Sequence, residues 1–325
     1  MRVDIIVPAK QINNYIHESI TKILDLDYEK YGIIILPDHF NDESFPRTKI
    51  IATGNIGPAQ KRNLALKYSK ADILAFLDDD AYPRKDWLEN ALRHFRNTEV
   101  AAVGGPAVTP RSDSFLQRVS GAVFLSKIGG GYPERYRPVG KVREVDDWPS
   151  VNLLVRRDVF KKINGFNSEY WPGEDTKLCL DIIKTGRKII YDPDVFVWHH
   201  RREGLKRHLR QIGRYGLHRG FFAKKLPETS RRLNYFLPSF FVLFLSIGIP
   251  LLLMDNFFIT GLFYSGIGIY LLALMFAFYE IYNKERNIAI SFFSLLYIFS
   301  THIWYGIKFL QGFLLTRELK SKLRG

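Results

Sequence analysis

Apolar positions along the first two hundred residues fall into two alternating patterns. Short continuous runs lie at 5–8, 31–36, 49–52, 73–77, 100–105, 151–155, 188–191 and 195–198, most of them bounded on one side by Pro or Asp. Runs of that length with such borders predict buried strands. Between them, apolar residues recur at three- and four-residue spacing, as in Ile16, Ile20, Ile23 and Leu24. This predicts helices near 15–26, 58–69, 87–95, 112–126, 158–163 and 174–185, with Pro58 at a first turn and Gly186 as a stop. Residues 129–149 predict a long loop. The alternation predicts an α/β domain over 1–200, a Rossmann-like, mostly parallel sheet with helices on both faces.

The pattern changes at Arg201. From 201 to 232, Leu205, Leu209, Ile212 and Leu217 recur among many bases, which predicts a basic amphipathic helix lying on a membrane face. Three long apolar stretches follow at 233–254, 256–279 and 287–310 within a membrane domain of 233–325. Each is long enough to cross ~30 Å of hydrocarbon. The bases before the first stretch, and Lys284 and Arg286 between the second and third, both favour the cytoplasmic side. Arg317, Lys320, Lys322 and Arg324 favour it too, which conflicts with three full crossings. Either the third stretch is re-entrant or interfacial, or the charge rule fails in this chain.

Charge adds location. The net charge is +14, a balance that suits nucleic acid, an anionic membrane or a phosphorylated substrate. The basic excess collects beside the apolar stretches, so membrane and phosphate are expected and nucleic acid is not. The one cysteine, Cys179, allows neither an internal disulfide nor a cysteine metal cluster, and its leucine neighbours predict a packing role. Met1-Arg2-Val3-Asp4 leads directly into a strand without a signal peptide, so the amino-terminal part is expected in the cytoplasm.

Candidate chemistry sits at the end of the 73–77 strand, in Asp78-Asp79-Asp80. Three adjacent acids cannot share the core with that strand, because unpaired buried charge is costly. At the carboxyl edge of an open sheet they would repel one another unless a cation joined them. Taken alone, the triplet reads as well as a polar turn. Three further patterns surround it: Leu36-Pro37-Asp38, then Gly57-Pro58-Ala59-Gln60-Lys61-Arg62-Asn63, then Gly165-Phe166 followed by Trp171-Pro172-Gly173-Glu174-Asp175.

Together these patterns, over about 1–225, resemble family 2 glycosyltransferases, which have the GT-A nucleotide-sugar fold. The resemblance implies a sugar donor, with a UDP-sugar favoured, and Mn²⁺ or Mg²⁺ as cofactor. It places Pro8, Ala9, Asp38, Arg62, Asp78 and Asp79 at the nucleotide sugar, although Pro8-Ala9-Lys10-Gln11 departs from the family's usual Pro followed by Asn-Glu. It places Asp80 on the metal with His199, for which His200 is the rival. Adjacent residues on a strand face opposite ways, so one histidine at most reaches the ion. Asp175 is implied as the catalytic base, with Glu174 beside it. Gln211-Ile212-Gly213-Arg214-Tyr215 resembles the QxxRW signature of cellulose, chitin and hyaluronan synthases, with Tyr in place of Trp. It implies that Gln211, Arg214 and Tyr215 lie near acceptor and diphosphate, while Trp148 and Trp171 are candidates for stacking on sugar rings.

The expected activity is a metal-dependent, inverting transfer to a hydroxyl of a glycan or lipid-linked acceptor, by an integral membrane protein. A polyprenyl-phosphate sugar synthase is the nearest rival, and Asp175 argues against it, because an ionised phosphate acceptor needs no base. A processive synthase would need more than three apolar stretches to build a channel. A silent nucleotide-sugar-binding scaffold would have no use for the full set of carboxylates.

Overall fold

A computed structural model describes residues 1–170 and 173–319. Trp171, with Lys320, Lys322 and Arg324, therefore lies outside the described residues. In chain order the first elements are β1 (Val3–Pro8), α1 (Asn14–Leu24), β2 (Tyr31–Leu36), β3 (Thr48–Ile50), α2 (Pro58–Asn63), α3 (Ala65–Tyr68), β4 (Ile73–Leu77), β5 (Ala81–Pro83) and α4 (Trp87–His94). Then come β6 (Val100–Gly104), β7 (Ala107–Val108), α5 (Phe115–Ala122), α6 (Lys127–Gly130), β8 (Arg143–Val145), β9 (Asn152–Arg156), α7 (Arg157–Lys162), α8 (Glu174–Lys184), β10 (Lys188–Tyr191) and β11 (Val197–His199). The remainder is helical: α9 (Leu205–Lys225), α10 (Pro227–Ser230), α11 (Leu233–Leu251), α12 (Phe257–Glu285) and α13 (Ile288–Leu310).

Two units result. One holds Met1–Pro110 and Glu134–His200, the other Arg111–Pro133 and Arg201–Leu319. The sequence reading gave all of 1–200 to one domain, but α5 belongs to the second unit. Its Val119 and Ala122, with Val123 and Leu125 just beyond, share a buried cluster with Ala277, Ile281, Ile290, Tyr297 and Ile298. Periodicity announces an apolar face without naming its partner.

The first unit is built on an eight-stranded sheet in the order β3-β2-β1-β4-β9-β6-β10-β8. β1, β2, β3 and β4 are mutually parallel, and β6 pairs parallel with β10. β9 is antiparallel to both β4 and β6, and β8 antiparallel to β10. The sheet is thus mostly parallel, with β8 and β9 reversed. An apolar run buried on both faces looks the same in either direction, so the sequence could not give the sense of β9. Alternate residues serve the two faces. Ile5 and Val7 pack with Ile16, Ile20, Ile23 and Trp87 on one side. Ile6, Leu74 and Phe76 pack with Phe160, Leu178 and Ile182 on the other.

A second, three-stranded sheet in the order β5-β11-β7 lies in the same unit. Its strands are two or three residues long, too short for a period to show, and β5 and β7 were not anticipated. Close approach of backbone is required behind it, where a Cβ on Gly105 would lie 1.6 Å from the Val195 carbonyl oxygen.

In the second unit α9 lies along α13. Methyl groups on Gly213, Gly216 and Gly220 would fall 2.4 Å from Trp304, 2.7 Å from the Tyr305 carbonyl oxygen and 2.1 Å from that of Phe309. His208 is buried between Ser120 Oγ (2.8 Å) and Thr301 Oγ1 (2.9 Å). The buried face of α9 therefore meets another helix instead of being left to lipid. Three segments, Leu233–Met254, Phe257–Glu285 and Ile288–Leu315, are long and apolar enough to cross a membrane.

Candidate active site

β1, β2 and β4 are parallel neighbours, so Pro8, Leu36 and Leu77 end at one edge of the sheet. That edge is where open α/β sheets receive ligands. Pro8 and Ala9 are buried there. The turns are tied to one another through backbone, Asp38 N to Lys10 O at 3.1 Å and Gly54 N to Asp38 O at 3.0 Å.

The Lys61-Arg62-Asn63 run distributes three tasks. Lys61 is wholly buried and donates to the Ala9 and Leu36 carbonyl oxygens at 2.5 and 3.0 Å and to the Asp38 carboxylate. A buried ammonium needs such a set. No motif assigns Lys61 a role, and it is this lysine that engages the Asp38 carboxylate. Arg62 donates to Asp78 Oδ1 at 2.6 Å and to Glu174 Oε1 at 3.2 Å, with its guanidinium over the Phe166 ring. Arg62 Nε is buried and has no hydrogen-bond partner among the described residues. Asn63 clasps the Phe166 backbone in both directions, at 2.7 and 2.8 Å. It thereby fixes Gly165, whose φ of +71° favours glycine.

Asp78, half-exposed Asp79 and buried Asp80 follow β4 directly. β5 then pairs antiparallel with β11, opposing Ala81 to His199. That register brings His199 Nε2 to 3.0 Å from Asp80 Oδ1. One ligand atom from each of Asp78, Asp80 and His199 lies within 4.8 Å of the other two. Two carboxylates and an imidazole offer the oxygen and nitrogen donors that suit Mn²⁺, and Mg²⁺ with more of its shell supplied by phosphate. His200 faces away, to Glu18 Oε2 at 2.9 Å, with its ring 4.5 Å from that of Tyr15. Asp78 joins Asp80 and His199 in this group, although the resemblance places it at the nucleotide sugar.

Glu174 and Asp175 open α8. Glu174 is buried against Arg62, and its carboxylate also accepts from Gly173 N at 2.9 Å. Burial first, and the Asp175 charge second, push Glu174 up to about 7, with Arg62 opposing. Asp175 is more exposed and accepts from Thr176 N at 2.9 Å and Ser150 N at 3.4 Å. Cys179 is buried beneath, as its leucine neighbours suggested.

Trp148 is not available to a sugar. It is 1% exposed, lies against Gly104 and donates from Nε1 to Gly105 O at 3.1 Å. Its packing partners come from distant strands, which local sequence does not reveal. In the second unit Arg214 and Tyr215 are exposed on α9, and Gln211 Nε2 donates to Tyr215 OH at 2.9 Å.

Residues 4–163 match the family model "Glycosyl transferase family 2". A pre-mycofactocin glycosyltransferase of Mycobacterium tuberculosis is 30% identical over 179 residues, 54% of this chain and 37% of that protein. The chain thus matches little more than a third of that relative's length. A Methanococcus voltae protein is 22% identical over 94% of this chain and 95% of its own. It is named dolichyl N-acetyl-α-D-glucosaminyl phosphate 3-β-D-2,3-diacetamido-2,3-dideoxy-β-D-glucuronosyltransferase. The fold is similar to that of a Pyrobaculum calidifontis mannosyltransferase solved with GDP-mannose and Mn²⁺, with a TM-score of 0.62 and 18% identity over 93% of this chain and 87% of that one. The chain carries a family 2 glycosyltransferase domain over residues 4–163 and has a GT-A fold.

Proposed function

We propose that this protein transfers a sugar, with inversion, from a nucleoside-diphosphate sugar to a hydroxyl of a lipid-linked glycan, with its sheet-bearing unit on the cytoplasmic side of the membrane. The observation that carries the reading is the convergence of Asp78, Asp80 and His199 at one edge, tied through Arg62 to Glu174 beside Asp175. The lipid-linked acceptor is supported by the name of the Methanococcus relative, which matches 94% of this chain, and by the apolar helices that would hold such an acceptor's neighbourhood at a bilayer.

Asp80, His199 and Asp78 would hold a divalent cation, which as a Lewis acid supports charge developing on the departing diphosphate. Asp175 removes the proton from the attacking hydroxyl, a contribution of ~10²–10⁴-fold in such reactions. Its two backbone hydrogen bonds keep it oriented without burying it. Glu174 is the less suitable base, since it is buried and already bonded to Arg62 and Gly173. Arg62 sets the spacing between the donor side and the acceptor side by bonding both acids. Asp175 as the base, with Glu174 held by Arg62, supports a single displacement.

The test is a panel of radiolabelled UDP-, GDP- and dTDP-sugars with membranes containing the protein and Mn²⁺ or Mg²⁺. Wild type should transfer label into a lipid-extractable product. Asp175→Asn should bind the nucleotide sugar and transfer at least about a hundredfold less. Normal transfer by that variant would refute the assignment of the base.

A further inference from the structure

Whether the third apolar helix crosses the bilayer is decided by where its two ends lie. α11 and α12 run antiparallel. Phe241 stacks on Tyr270 with ring centroids 4.1 Å apart, Phe244 on Phe263 at 5.1 Å, and Gly248 abuts Phe263. The start of α11 and the end of α12 therefore share one end of this hairpin, and the turn at Asp255 and Asn256 makes the other. Only Arg286 and Asn287 separate α12 from α13, so α13 begins at the foot of α12. It ends at the foot of α11: Phe236 meets Phe309 at 4.6 Å and Phe313 at 5.5 Å, and Ser239 Oγ donates to Gly306 O at 3.2 Å. Both ends of α13 thus lie at the same end of the hairpin.

What flanks α13 points the same way. Its second half runs beside α9, from His208 against Thr301 to Gly220 against Phe309. α9 carries Lys206, Arg207, Arg210, Arg214, Arg219, Lys224 and Lys225. A helix so charged stays out of hydrocarbon, and a helix lying along it cannot cross alone. The first half of α13 lies against 111–133, where Ser294 Oγ donates to Val119 O at 3.4 Å, and the contact continues to His302, whose Nε2 donates to Ile128 O at 2.8 Å. Both ends of that segment continue into the sheet-bearing unit along the chain, so it does not cross the bilayer. The opposite face of α13 exposes Phe292, Leu296, Phe299 and Ile307, with Leu314 just beyond the helix, an apolar stripe suited to acyl chains.

We infer that α13 is an in-plane helix, embedded in one leaflet with both its ends on the same side, and that the anchor crosses the bilayer twice. The inference rests on the membrane reading proposed above. It removes the charge conflict of three crossings. Arg231, Arg232, Lys284, Arg286, Lys308 and Arg317 then collect on one side, while the far turn offers Asp255.

The test uses the full chain in sealed vesicles of known orientation and a membrane-impermeant maleimide. Cysteine is introduced singly by Leu253→Cys, Lys284→Cys or Arg317→Cys; Leu253 is 89% exposed at the far turn, and native Cys179 is buried. Lys284→Cys and Arg317→Cys should label from the same side, and Leu253→Cys from the opposite one. Labelling of Arg317→Cys with Leu253→Cys, opposite Lys284→Cys, would show that α13 crosses and overturn the inference. Labelling of all three from one side would overturn the membrane reading itself.

Discussion

Arg62 is the side chain through which the two acidic groups of the site meet, and its neighbours define the sharpest tests at the residue scale. If Asp80 and His199 bind the cation, His199→Ala should weaken Mn²⁺ binding by at least about tenfold, since even outer-shell partners of metal ligands matter that much. His200→Ala should weaken it less, because His200 is engaged by Glu18. Electron paramagnetic resonance titration of Mn²⁺ reads both. Glu174 gives a stability prediction with a definite sign. Its carboxyl is raised from an ordinary 4.5 to about 7 by burial and by Asp175. Between these values the folded protein holds the proton that the unfolded chain has released. The favourable contribution is thus complete below about 4.5 and is lost as pH rises through about 7. Glu174→Gln stays neutral, so its melting temperature relative to wild type should rise between about pH 5 and about pH 8. An unchanged difference would remove Glu174 as a buried, proton-holding acid.

At the scale of elements, two contacts depend on what is missing from a side chain. α9 approaches α13 because Gly220 leaves room for the Phe309 carbonyl, where a Cβ would lie at 2.1 Å. Gly220→Val should separate the helices and lower stability by about 1–3 kcal/mol, the usual range for overpacking. Gly261→Ala on α12, with nothing within 4 Å, should leave it unchanged or slightly raised. Thermal unfolding in detergent distinguishes the two. In the sheet-bearing unit Trp148 fills the space above Gly104, packed 4.9 Å from the Tyr191 ring. Trp148→Ala should cost about 3–5 kcal/mol as a cavity. If instead it impaired only transfer and left the melting temperature alone, the residue would be a sugar platform after all.

At the scale of the whole molecule, the interleaving of the units along the chain has a measurable consequence. α5 is bracketed by strands of the first unit, but its Val119, with Val123 and Leu125 just beyond, is buried with Ile281, Ile290 and Ile298. A chain ended after residue 232 lacks those partners. It should aggregate without detergent although its sheet is complete, and polar replacement of Val119 and Val123 should restore a monomer by size-exclusion chromatography. Full solubility of the unmodified truncation would show that α5 finds another cover.

Local pattern was enough for the strand that ends in Asp78, the helix opened by Glu174, the quiet packing of Cys179 and the three apolar segments, since these depend on the period and length of neighbouring residues. Family resemblance extended this to Arg62, Asp80, His199 and Asp175 as candidates. The sequence could not show that β9 runs antiparallel, because an apolar strand buried on both faces reads alike in either sense. Nor could it show that His199 rather than His200 faces Asp80, for that follows from the register of two three-residue strands. It left Lys61 without a role, because a lysine is recognised as buried only when its carbonyl and carboxylate partners are known. The destination of each apolar face, Trp148 into the core, α5 onto the helical unit and α9 onto α13, was decided by tertiary structure. Hydrophobic burial is non-directional: the chain specifies which surfaces must be covered, and packing selects what covers them.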